Sequence, residues 1–281
     1  VFEGIKGYET SNGVSIFRLA EHVDRLFDSA DKYSMVIPYT RGEIISACTE
    51  IVRKNNFKDC YIRPVAFYGY DTLGVDPKEC PVDVSIAAFF WGAYLGDDAL
   101  MNGAKVVISD WRRFNSSSFP VSAKASGQYM NSMLAVQDAR ARGYDEAILL
   151  NQDGNVAEGS GQNIFFVKDG KVYTNDHSAS ILMGITRDSI LTFLPDLDID
   201  SSIVDITVDD ILGADEVFFC GTASEVTPVV EIDNQKIGSG LAGDITLRVR
   251  EYYLDIVYGR NSKYSHWLTE VSLPSQTSLQ K

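Results

Sequence analysis

The sequence predicts a mixed α/β fold of the α+β kind, divided into two domains. Short alternating apolar segments typical of strands are interspersed with longer segments of helical spacing. Two Asp-Gly pairs lie between apolar segments, as they do in β-hairpins, and the character of the chain changes near residue 95. Hairpins outnumber β-α-β units, and 281 residues suffice for one large domain or two smaller ones.

The first predicted elements lie in residues 14–55. Residues 14–18 alternate between apolar and polar side chains and predict a strand, whereas residues 19–33 place apolar side chains at helical spacing. Thr40 and Glu43 form a capping-box pattern, because a threonine hydroxyl can accept a hydrogen bond from the amide three residues later. This pattern predicts a helix over residues 44–55.

A domain boundary is expected after two further strands. Residues 61–70 and 82–90 are rich in aromatic and β-branched side chains, which favours strands. Gly92 and Gly96 then give the chain the character of a linker. We therefore expect a small N-terminal domain over residues 1–95 and a larger C-terminal domain over residues 96–281.

The C-terminal part alternates strands, hairpins and helices. Asp153-Gly154 and Asp169-Gly170 each lie between short apolar segments and predict hairpin turns. The remaining predicted elements are strands over residues 104–110 and 217–220 and helices over residues 127–142, 187–193 and 244–257.

Composition and charge exclude several classes of function. The chain has 25 Lys and Arg against 39 Asp and Glu, a net charge of −14, which disfavours binding to nucleic acid or to an anionic membrane. The four cysteines form no Cys-x-x-Cys pair and the three histidines lack metal-site spacing, so we expect no metal. No apolar run approaches the about 20 residues of a membrane span. We expect a soluble small-molecule enzyme in a reducing compartment, the cytoplasm.

Several motifs admit alternative interpretations. Residues 238–243 match Gly-x-Gly-x-x-Gly, but no buried strand precedes them, which favours a flexible turn over a dinucleotide site. The absence of a Gly-x-Ser-x-Gly elbow disfavours a serine hydrolase. His22 lies among charged residues in a predicted helix and is expected at the solvated surface. Lys124 lies among small residues that leave room for a bulky group, so it is either a nucleophile for a carbonyl group or an ordinary loop lysine.

Longer segments resemble a known family. Class IV aminotransferases, the fold-type IV pyridoxal-phosphate enzymes, have segments similar to Ser122-Ala-Lys-Ala-Ser-Gly-Gln-Tyr129, Ala157-Glu-Gly-Ser-Gly-Gln-Asn-Ile-Phe165, Leu182-Met-Gly-Ile-Thr-Arg187 and Gly221-Thr-Ala-Ser-Glu-Val-Thr-Pro228. Within that family, the branched-chain amino-acid aminotransferases resemble this chain at Val1-Phe-Glu-Gly-Ile5, Tyr61-Ile-Arg-Pro64 and Trp91-Gly-Ala-Tyr-Leu-Gly96. The resemblance implies a smaller N-terminal domain, a larger C-terminal domain and an active site between them.

The resemblance implies pyridoxal 5'-phosphate as the cofactor. Lys124 would form the Schiff base with the cofactor aldehyde and would move the proton between substrate Cα and cofactor C4′. Further cofactor contacts would be Glu158 at the pyridine nitrogen, Tyr129 at the phenolic oxygen, and Arg25, Ile185, Thr186 and Thr222 at the phosphate. A carboxylate keeps the ring nitrogen protonated, and the start of a helix favours an anion.

Substrate contacts are implied in the same way. Phe2, Tyr61, Trp91 and Tyr94 would line an apolar pocket, although core packing explains any single one of these aromatic residues as well. The turn at Thr222 and Ala223 would hold the α-carboxylate, and Arg63 would bind the second carboxylate of glutamate. Gln128 and Gln162 stand where relatives often carry Asn and Glu, changes from which we expect little consequence.

The implied reaction is transfer of the amino group of leucine, isoleucine or valine to 2-oxoglutarate by a ping-pong mechanism, in a homodimer or higher homo-oligomer. The alternatives are a D-amino-acid aminotransferase, an aminodeoxychorismate lyase and a non-catalytic binding protein. Arg63 and residues 91–96 favour the branched-chain interpretation, and the joint presence of Lys124, Tyr129 and Glu158 disfavours the last alternative. Relatives carry a few dozen residues before the position of Val1. We therefore expect strands to be missing from the small domain, together with any leader that preceded them.

Overall fold

The computed structural model describes residues 1–92, 95–96, 99 and 102–273, which form two compact units. The first unit contains Val1–Trp91, Ala123–Ala125 and the chain from Asp255 onward, and the second contains Gly92–Ser122 and Ser126–Leu254. Each unit contains a β-sheet and helices, which confirms the predicted mixed α/β class. The division at residue 95 stays a prediction. The first unit therefore also contains two segments, Ala123–Ala125 and the chain from Asp255 onward, that are distant from residues 1–91 in sequence.

The first unit is built on a five-stranded antiparallel sheet. Its strands are β1 (Ile5–Thr10), β2 (Gly13–Phe17), β3 (Cys60–Tyr68), β4 (Val82–Phe89) and β14 (Leu268–Val271). Their order in the sheet is β14-β2-β1-β3-β4. Its helices include α1 (Leu19–Asp31) and α2 (Arg41–Asn55). The helices bury their apolar faces in the same core as the sheet, with Leu19, Leu26 and Ile44 among the buried residues.

The capping box predicted before α2 is confirmed. Thr40 Oγ1 accepts a hydrogen bond from the amide of Glu43 at 3.2 Å, and Glu43 Oε2 accepts one from the amide of Thr40 at 2.7 Å. Two amides at the helix start are thereby satisfied. The helix ends at Asn56, whose left-handed backbone (φ 51°) turns the chain toward β3.

The second unit contains a nine-stranded mixed sheet. Its strands are β5 (Ala104–Arg112), β6 (Glu146–Leu150), β7 (Val156–Gly159), β8 (Asn163–Lys168), β9 (Lys171–Thr174), β10 (Ser201–Ile203), β11 (Glu216–Gly221), β12 (Glu225–Ile232) and β13 (Gln235–Lys236). Their order in the sheet is β10-β9-β8-β11-β12-β5-β6-β7, with β13 paired to β12. Its helices include α3 (Tyr129–Ala141), α4 (Ile185–Phe193) and α5 (Val208–Leu212), and α6 (Asp244–Val257) follows later in the chain.

Both hairpins predicted at Asp-Gly pairs are confirmed. Strands β6 and β7 pair antiparallel around a turn in which Gly154 has φ +89°. Strands β8 and β9 pair in the same way, and both turn residues, Asp169 (φ 50°) and Gly170 (φ 76°), have positive φ. The two-residue turn at Asp169 and Gly170 matches the twist of the strands that it joins. The Gly-rich segment at 238–243 lies between the two-residue strand β13 and α6, which agrees with a turn and not with a dinucleotide site.

The second sheet contains a parallel part next to a pair of fully buried strands. Strand β5 pairs in parallel with β12 on one side and with β6 on the other. Every residue of β6 is buried, as expected for a strand covered on both faces. Strand β7 follows β6 through the hairpin and is also buried along its whole length, which places its side chains inside the unit. In the described part of the chain, no helix combines the length and apolar character that crossing a bilayer requires.

Candidate active site

Lys124 is held in the first unit by both of its backbone groups. Its carbonyl oxygen accepts a hydrogen bond from Phe2 N at 3.0 Å, and its amide donates one to Ser29 Oγ at 3.0 Å. Ser29 is a buried residue of α1, and the neighbours Ala123 and Ala125 are buried as well. The small residues around Lys124 therefore pack inward and fix the loop, while Lys124 itself is half-buried.

The amine of Lys124 lies over an aromatic ring. Nζ is 5.0 Å from the ring centroid of Phe2, and the guanidinium carbon of Arg63 is 4.7 Å from the same centroid. The faces of an aromatic ring carry partial negative charge and attract cations. The first unit thus brings together an amine, a guanidinium and an aromatic ring that the sequence predicted as site residues.

Arg63 connects this group to two further predicted substrate contacts. Its Nη2 donates to Tyr61 Oη at 3.3 Å, and the rings of Tyr61 and Trp91 have centroids 4.5 Å apart. Tyr61 and Arg63 are two residues apart on β3, so they share one face of the sheet. The Nε atom of Arg63 is buried and has no hydrogen-bond partner in the described residues. Tyr94 lies outside the described residues.

Arg25 contacts a buried carboxylate in the same unit. Its Nε donates to Glu3 Oε1 at 2.7 Å and its Nη2 donates to Glu3 Oε2 at 2.9 Å. His22 Nδ1 lies 2.7 Å from the same Oε2 atom. The predicted surface position of His22 is therefore wrong. Its side chain is 1% exposed, because His22 and Arg25 share the face of α1 that is turned toward Glu3.

The pKa values of Glu3 and His22 are both lowered. Burial alone raises the pKa of Glu3, but the charge of Arg25 and the hydrogen bond with His22 hold that pKa well below its usual range. Burial lowers the pKa of His22 from its ordinary 6.5, and the charges of Arg25 and Lys124 add to this effect, against the opposing influence of Glu3. At pH 7, Glu3 is therefore ionised and His22 is a neutral imidazole that donates through Nδ1.

Glu158 forms a buried ion pair in the second unit. Its Oε1 lies 2.9 Å from Arg113 Nη2, and the two side chains are 8% and 6% exposed. Glu158 belongs to β7, while Arg113 directly follows β5 and also donates from Nε to Ser180 O at 3.2 Å. A guanidinium held at two points orients the carboxylate that it contacts.

Asn163 connects Glu158 to the start of α4. Its Nδ2 donates to Glu158 Oε2 at 3.3 Å and to Leu182 O at 2.9 Å, and Leu182 N donates to Glu158 Oε2 at 3.3 Å. Gly184 precedes α4, and a Cβ at this position would lie 2.0 Å from Asn163 Oδ1. One asparagine thus links two predicted cofactor contacts, the Glu158 carboxylate and the start of α4.

The start of α4 carries Ile185 and Thr186 as its first two residues. Gly184, the N-cap residue, has an extended backbone (φ −73°, ψ 137°) and provides no side-chain cap. Amides in the first turn of a helix have no partner within the helix, and the helix dipole adds positive potential there. The position fits an anion, as the resemblance implies for Ile185 and Thr186.

Other predicted residues lie near strand or helix ends of the second unit. Thr222 and Ala223 lie in the turn between β11 and β12, and the next residue, Ser224, has a buried Oγ with no hydrogen-bond partner in the described residues. Tyr129 is the first residue of α3. These positions present polar groups where the backbone turns, which suits ligand binding.

Sequence reasoning missed four residues that hold the predicted ones. Glu3 binds Arg25, Ser29 binds the backbone of Lys124, and Arg113 and Asn163 bind Glu158. The spacing of His22 and Arg25 on one helix face was a signal for a shared partner. Ser29 and Arg113 gave no such signal, because their contacts join segments far apart in the sequence.

Comparison with known proteins shows extensive similarity. The family model described as amino-transferase class IV matches residues 1–232. The branched-chain-amino-acid aminotransferase of Pseudomonas aeruginosa PAO1 is 46% identical over 271 residues, which cover 96% of this chain and 88% of that protein. The enzyme of the same name from Escherichia coli K12 is 40% identical over 273 residues, covering 97% and 88%.

Solved structures give the same result for the fold. The branched-chain amino acid aminotransferase of Thermoproteus uzoniensis, solved with norvaline, matches with a TM-score of 0.92 and 43% identity, covering 96% of this chain and 89% of that one. The Escherichia coli branched-chain amino acid aminotransferase matches with a TM-score of 0.94 and 40% identity, covering 96% and 90%.

Proposed function

The chain belongs to the class IV aminotransferases, and from this membership we propose that it transfers the amino group of leucine, isoleucine or valine to 2-oxoglutarate with pyridoxal 5'-phosphate as cofactor. The observation that carries the proposal is the placement of Lys124 Nζ and the Arg63 guanidinium on the same Phe2 ring. An amine that can attack a carbonyl group and a cation that can bind a substrate carboxylate thus lie against the same aromatic ring.

The residues present fit the proposed cofactor. Pyridoxal phosphate supplies an aldehyde and an electron-withdrawing ring, which makes the substrate Cα–H bond acidic. Glu158 suits the ring nitrogen, since it is a buried carboxylate held by Arg113. The start of α4 suits the phosphate, because its first turn has no side-chain cap. Ser224, two residues after Thr222, has a buried Oγ with no hydrogen-bond partner in the described residues.

Lys124 has two proposed roles. Its Nζ would hold the cofactor through the aldehyde carbon, and as a free amine it would be the base that carries a proton between substrate Cα and cofactor C4′. Both roles require that the amine returns to one position. The hydrogen bonds from Phe2 and to Ser29 fix the backbone from which the side chain extends and so support this assignment.

The other proposed contacts keep the cofactor and the substrate oriented. Glu158 holds the proton on the ring nitrogen, and Tyr129 donates to the phenolic oxygen. Arg25, Ile185, Thr186 and Thr222 bind the phosphate. Thr222 and Ala223 bind the α-carboxylate, and Arg63 binds the distal carboxylate of glutamate. Phe2, Tyr61, Trp91 and Tyr94 surround the aliphatic side chain. One pocket would then accept branched and acidic substrates in turn.

Cofactor trapping tests the proposal. Purified protein incubated with pyridoxal phosphate is expected to turn yellow, and borohydride is expected to fix the cofactor covalently on Lys124, as peptide mapping by mass spectrometry would show. Lys124→Ala is expected to lose both the trapped cofactor and turnover. The control Lys54→Ala removes an exposed lysine of α2 and is expected to behave like the wild type. Protein that stays colourless would contradict the proposal.

Substrate comparison decides the subclass. With 2-oxoglutarate as acceptor, formation of glutamate is expected from L-leucine, L-isoleucine and L-valine. Turnover of D-alanine alone would favour a D-amino-acid aminotransferase, and pyruvate release from aminodeoxychorismate would favour a lyase. Binding of cofactor without turnover of any of these compounds would favour a binding protein.

We also propose that the chain assembles as a homodimer or higher homo-oligomer. Leu73 and Val75 are 101% and 103% exposed, and Tyr70 is also almost fully exposed in the same loop. Exposed apolar side chains close together are typical of contact surfaces. Light scattering is expected to give a mass above one chain, and Leu73→Ser with Val75→Ser is expected to lower it. The cytoplasmic location stays a prediction.

A further inference from the structure

Glu3 forms the centre of a buried polar cluster that the sequence did not predict. Its carboxylate accepts from Arg25 Nε at 2.7 Å, from Arg25 Nη2 at 2.9 Å and from His22 Nδ1 at 2.7 Å. The Glu3 side chain is fully buried, and those of His22 and Arg25 are largely buried. We call Glu3, His22 and Arg25 the Glu3 cluster. Both oxygens of Glu3 are engaged, so its orientation is defined by more than one contact.

The backbone of Glu3 is fixed independently of its side chain. Its amide donates to Pro64 O at 2.9 Å, and the preceding residue, Phe2, forms a bridge with Val65 of β3. Phe2 is also the residue whose amide binds Lys124 O. Glu3 is therefore anchored to the sheet through its backbone and to α1 through its carboxylate. The long side chain of Arg25 loses most of its conformational freedom, because the carboxylate that it binds is itself fixed.

The charges of the Glu3 cluster are balanced. The negative charge of Glu3 offsets the positive charge of Arg25, and His22 adds none at pH 7 because burial and the nearby positive charges lower its pKa. A buried ion pair of this geometry contributes less to stability than its distances suggest, because desolvation costs offset the attraction. Its more distinctive effect is to fix where the guanidinium points. Glu3 accepts hydrogen bonds from Nε and Nη2 of Arg25. Because the guanidinium is planar and rigid, these bonds also set the direction of its other N–H groups.

We propose that Glu3 is a positioning residue that aims Arg25 at the phosphate group of the cofactor, with His22 holding the Glu3 carboxylate in place. The inference rests on the proposed function, in which Arg25 binds that phosphate. The new element is that Arg25 binds the phosphate tightly only in the orientation that Glu3 sets. Glu3 does not touch the cofactor and acts through Arg25.

Two ligands that differ only by the phosphate test this inference. Dissociation constants are measured for pyridoxal phosphate and for pyridoxal, with wild type, Glu3→Gln, Arg25→Gln and the double variant. Glu3→Gln is expected to weaken binding of pyridoxal phosphate by about tenfold or more, because hydrogen bonds to charged groups contribute at this level. Binding of pyridoxal is expected to stay within about twofold. Glu3→Gln is expected to add little in the Arg25→Gln background, since both changes remove the same interaction.

Two further variants separate positioning from stability. Glu9→Gln changes an exposed glutamate of β1 that pairs with Lys58, and it is expected to alter neither constant. Glu3→Asp keeps the charge but shortens the side chain, and it is expected to lose affinity for pyridoxal phosphate alone. This second variant also serves if Glu3→Gln does not fold.

Other outcomes overturn the inference. Equal weakening of both ligands by the Glu3 variants would mean that the cluster only stabilises the fold. Unchanged binding of both ligands would mean that Arg25 needs no partner. A wild-type protein that binds neither ligand, or that does not prefer the phosphorylated one, would overturn the proposed function itself, and the inference with it.

Discussion

The amide of Lys124 donates a hydrogen bond to Ser29 Oγ at 3.0 Å, across 95 residues of sequence. Ser29 lies on α1, between the turn that carries His22 and Arg25 and the end of the helix. The same helix therefore holds the backbone of the proposed catalytic lysine and carries the arginine proposed to bind phosphate. Displacement of α1 would move both groups together, so the packing of this helix matters for the chemistry as well as for stability.

Ser29→Ala removes the acceptor for the Lys124 amide. Stability is expected to fall by about 1–3 kcal/mol, because a partly buried amide loses its partner. Trapping of pyridoxal phosphate on Lys124 by borohydride is expected to slow as well. Urea unfolding and mass spectrometry measure the two effects. Ser46→Ala, at an exposed position of α2, is the matched control. Unchanged trapping in Ser29→Ala would show that Ser29 does not position the lysine.

Arg113→Gln removes the guanidinium that pairs with the buried carboxylate of Glu158. Removal of one partner of a buried ion pair is expected to cost about 3–5 kcal/mol of stability. Arg142→Gln breaks an exposed pair with Asp138, at 41% and 39% exposure, and is expected to cost less than about 1 kcal/mol. Urea unfolding checks both values. If Glu158→Gln is added, part of the loss in Arg113→Gln is expected to be recovered, because the buried charge that Arg113 pairs with is removed as well. Equal losses for the two arginine variants would contradict this account.

Gly184→Ala places a methyl group against Asn163. The added Cβ would lie 2.0 Å from Asn163 Oδ1, so the asparagine must move away from Glu158 and Leu182. Affinity for pyridoxal phosphate is expected to fall by about tenfold or more, in line with the loss of hydrogen bonds to a charged group. Gly42→Ala is the control, because nothing lies within 4 Å of a Cβ there. Fluorescence titration with the cofactor measures both variants, and wild-type affinity in Gly184→Ala would contradict the predicted clash.

Local patterns in the sequence predicted local structure well. The capping box at Thr40 and the hairpins at Gly154 and Gly170 depend on residues close to one another in the chain, and each is present. The family resemblance supplied the lysine, the glutamate and the arginine proposed to act on the cofactor. Both kinds of inference use residue identity and order, which a single sequence contains.

Contacts between distant segments could not be predicted in this way. Residues 123–125 belong to the first unit, although the chain on both sides belongs to the second. No local pattern indicates that Ser29 meets Lys124 or that Arg113 meets Glu158. His22 was misjudged for the same reason, since its charged neighbours in sequence suggested solvent and its true neighbour, Glu3, lies 19 residues away. Burial depends on which faces meet in three dimensions.

The thiols are expected to differ in reactivity. Burial raises the pKa of Cys48 to about 12 and that of Cys60 to about 11, and it raises the pKa of Cys220 further. Thiolate, the reactive form, is therefore scarce at these three positions near pH 8. Ellman's reagent is expected to modify Cys80, which is partly exposed, and to reach the other three thiols only in denaturant. Cys80→Ser is expected to remove the rapid phase, and a rapid phase that remains would contradict this assignment.

Acid is expected to destabilise the protein in part through His22. Its pKa is lowered in the folded state from the 6.5 of an ordinary histidine, so the unfolded chain takes up a proton at this position before the folded chain does. The contribution of His22 to stability is therefore complete above pH 6.5 and declines as the pH falls below that value. Glu3 adds a second loss below its ordinary 4.5, because its pKa is lowered too.

His22→Asn isolates the first of these losses, because asparagine can still donate a hydrogen bond to Glu3 but does not titrate. Between pH 6.5 and 5.5, wild type is expected to lose up to about 1 kcal/mol more than this variant, because the unfolded histidine is already half protonated at pH 6.5. His177→Asn is the control, since that side chain is 78% exposed, and it is expected to follow wild type. Urea unfolding at several pH values measures the slopes. Parallel slopes for wild type and His22→Asn would mean that the buried imidazole takes up its proton as readily as an exposed one. The neutral state assigned to it beside Arg25 and Lys124 would then be wrong.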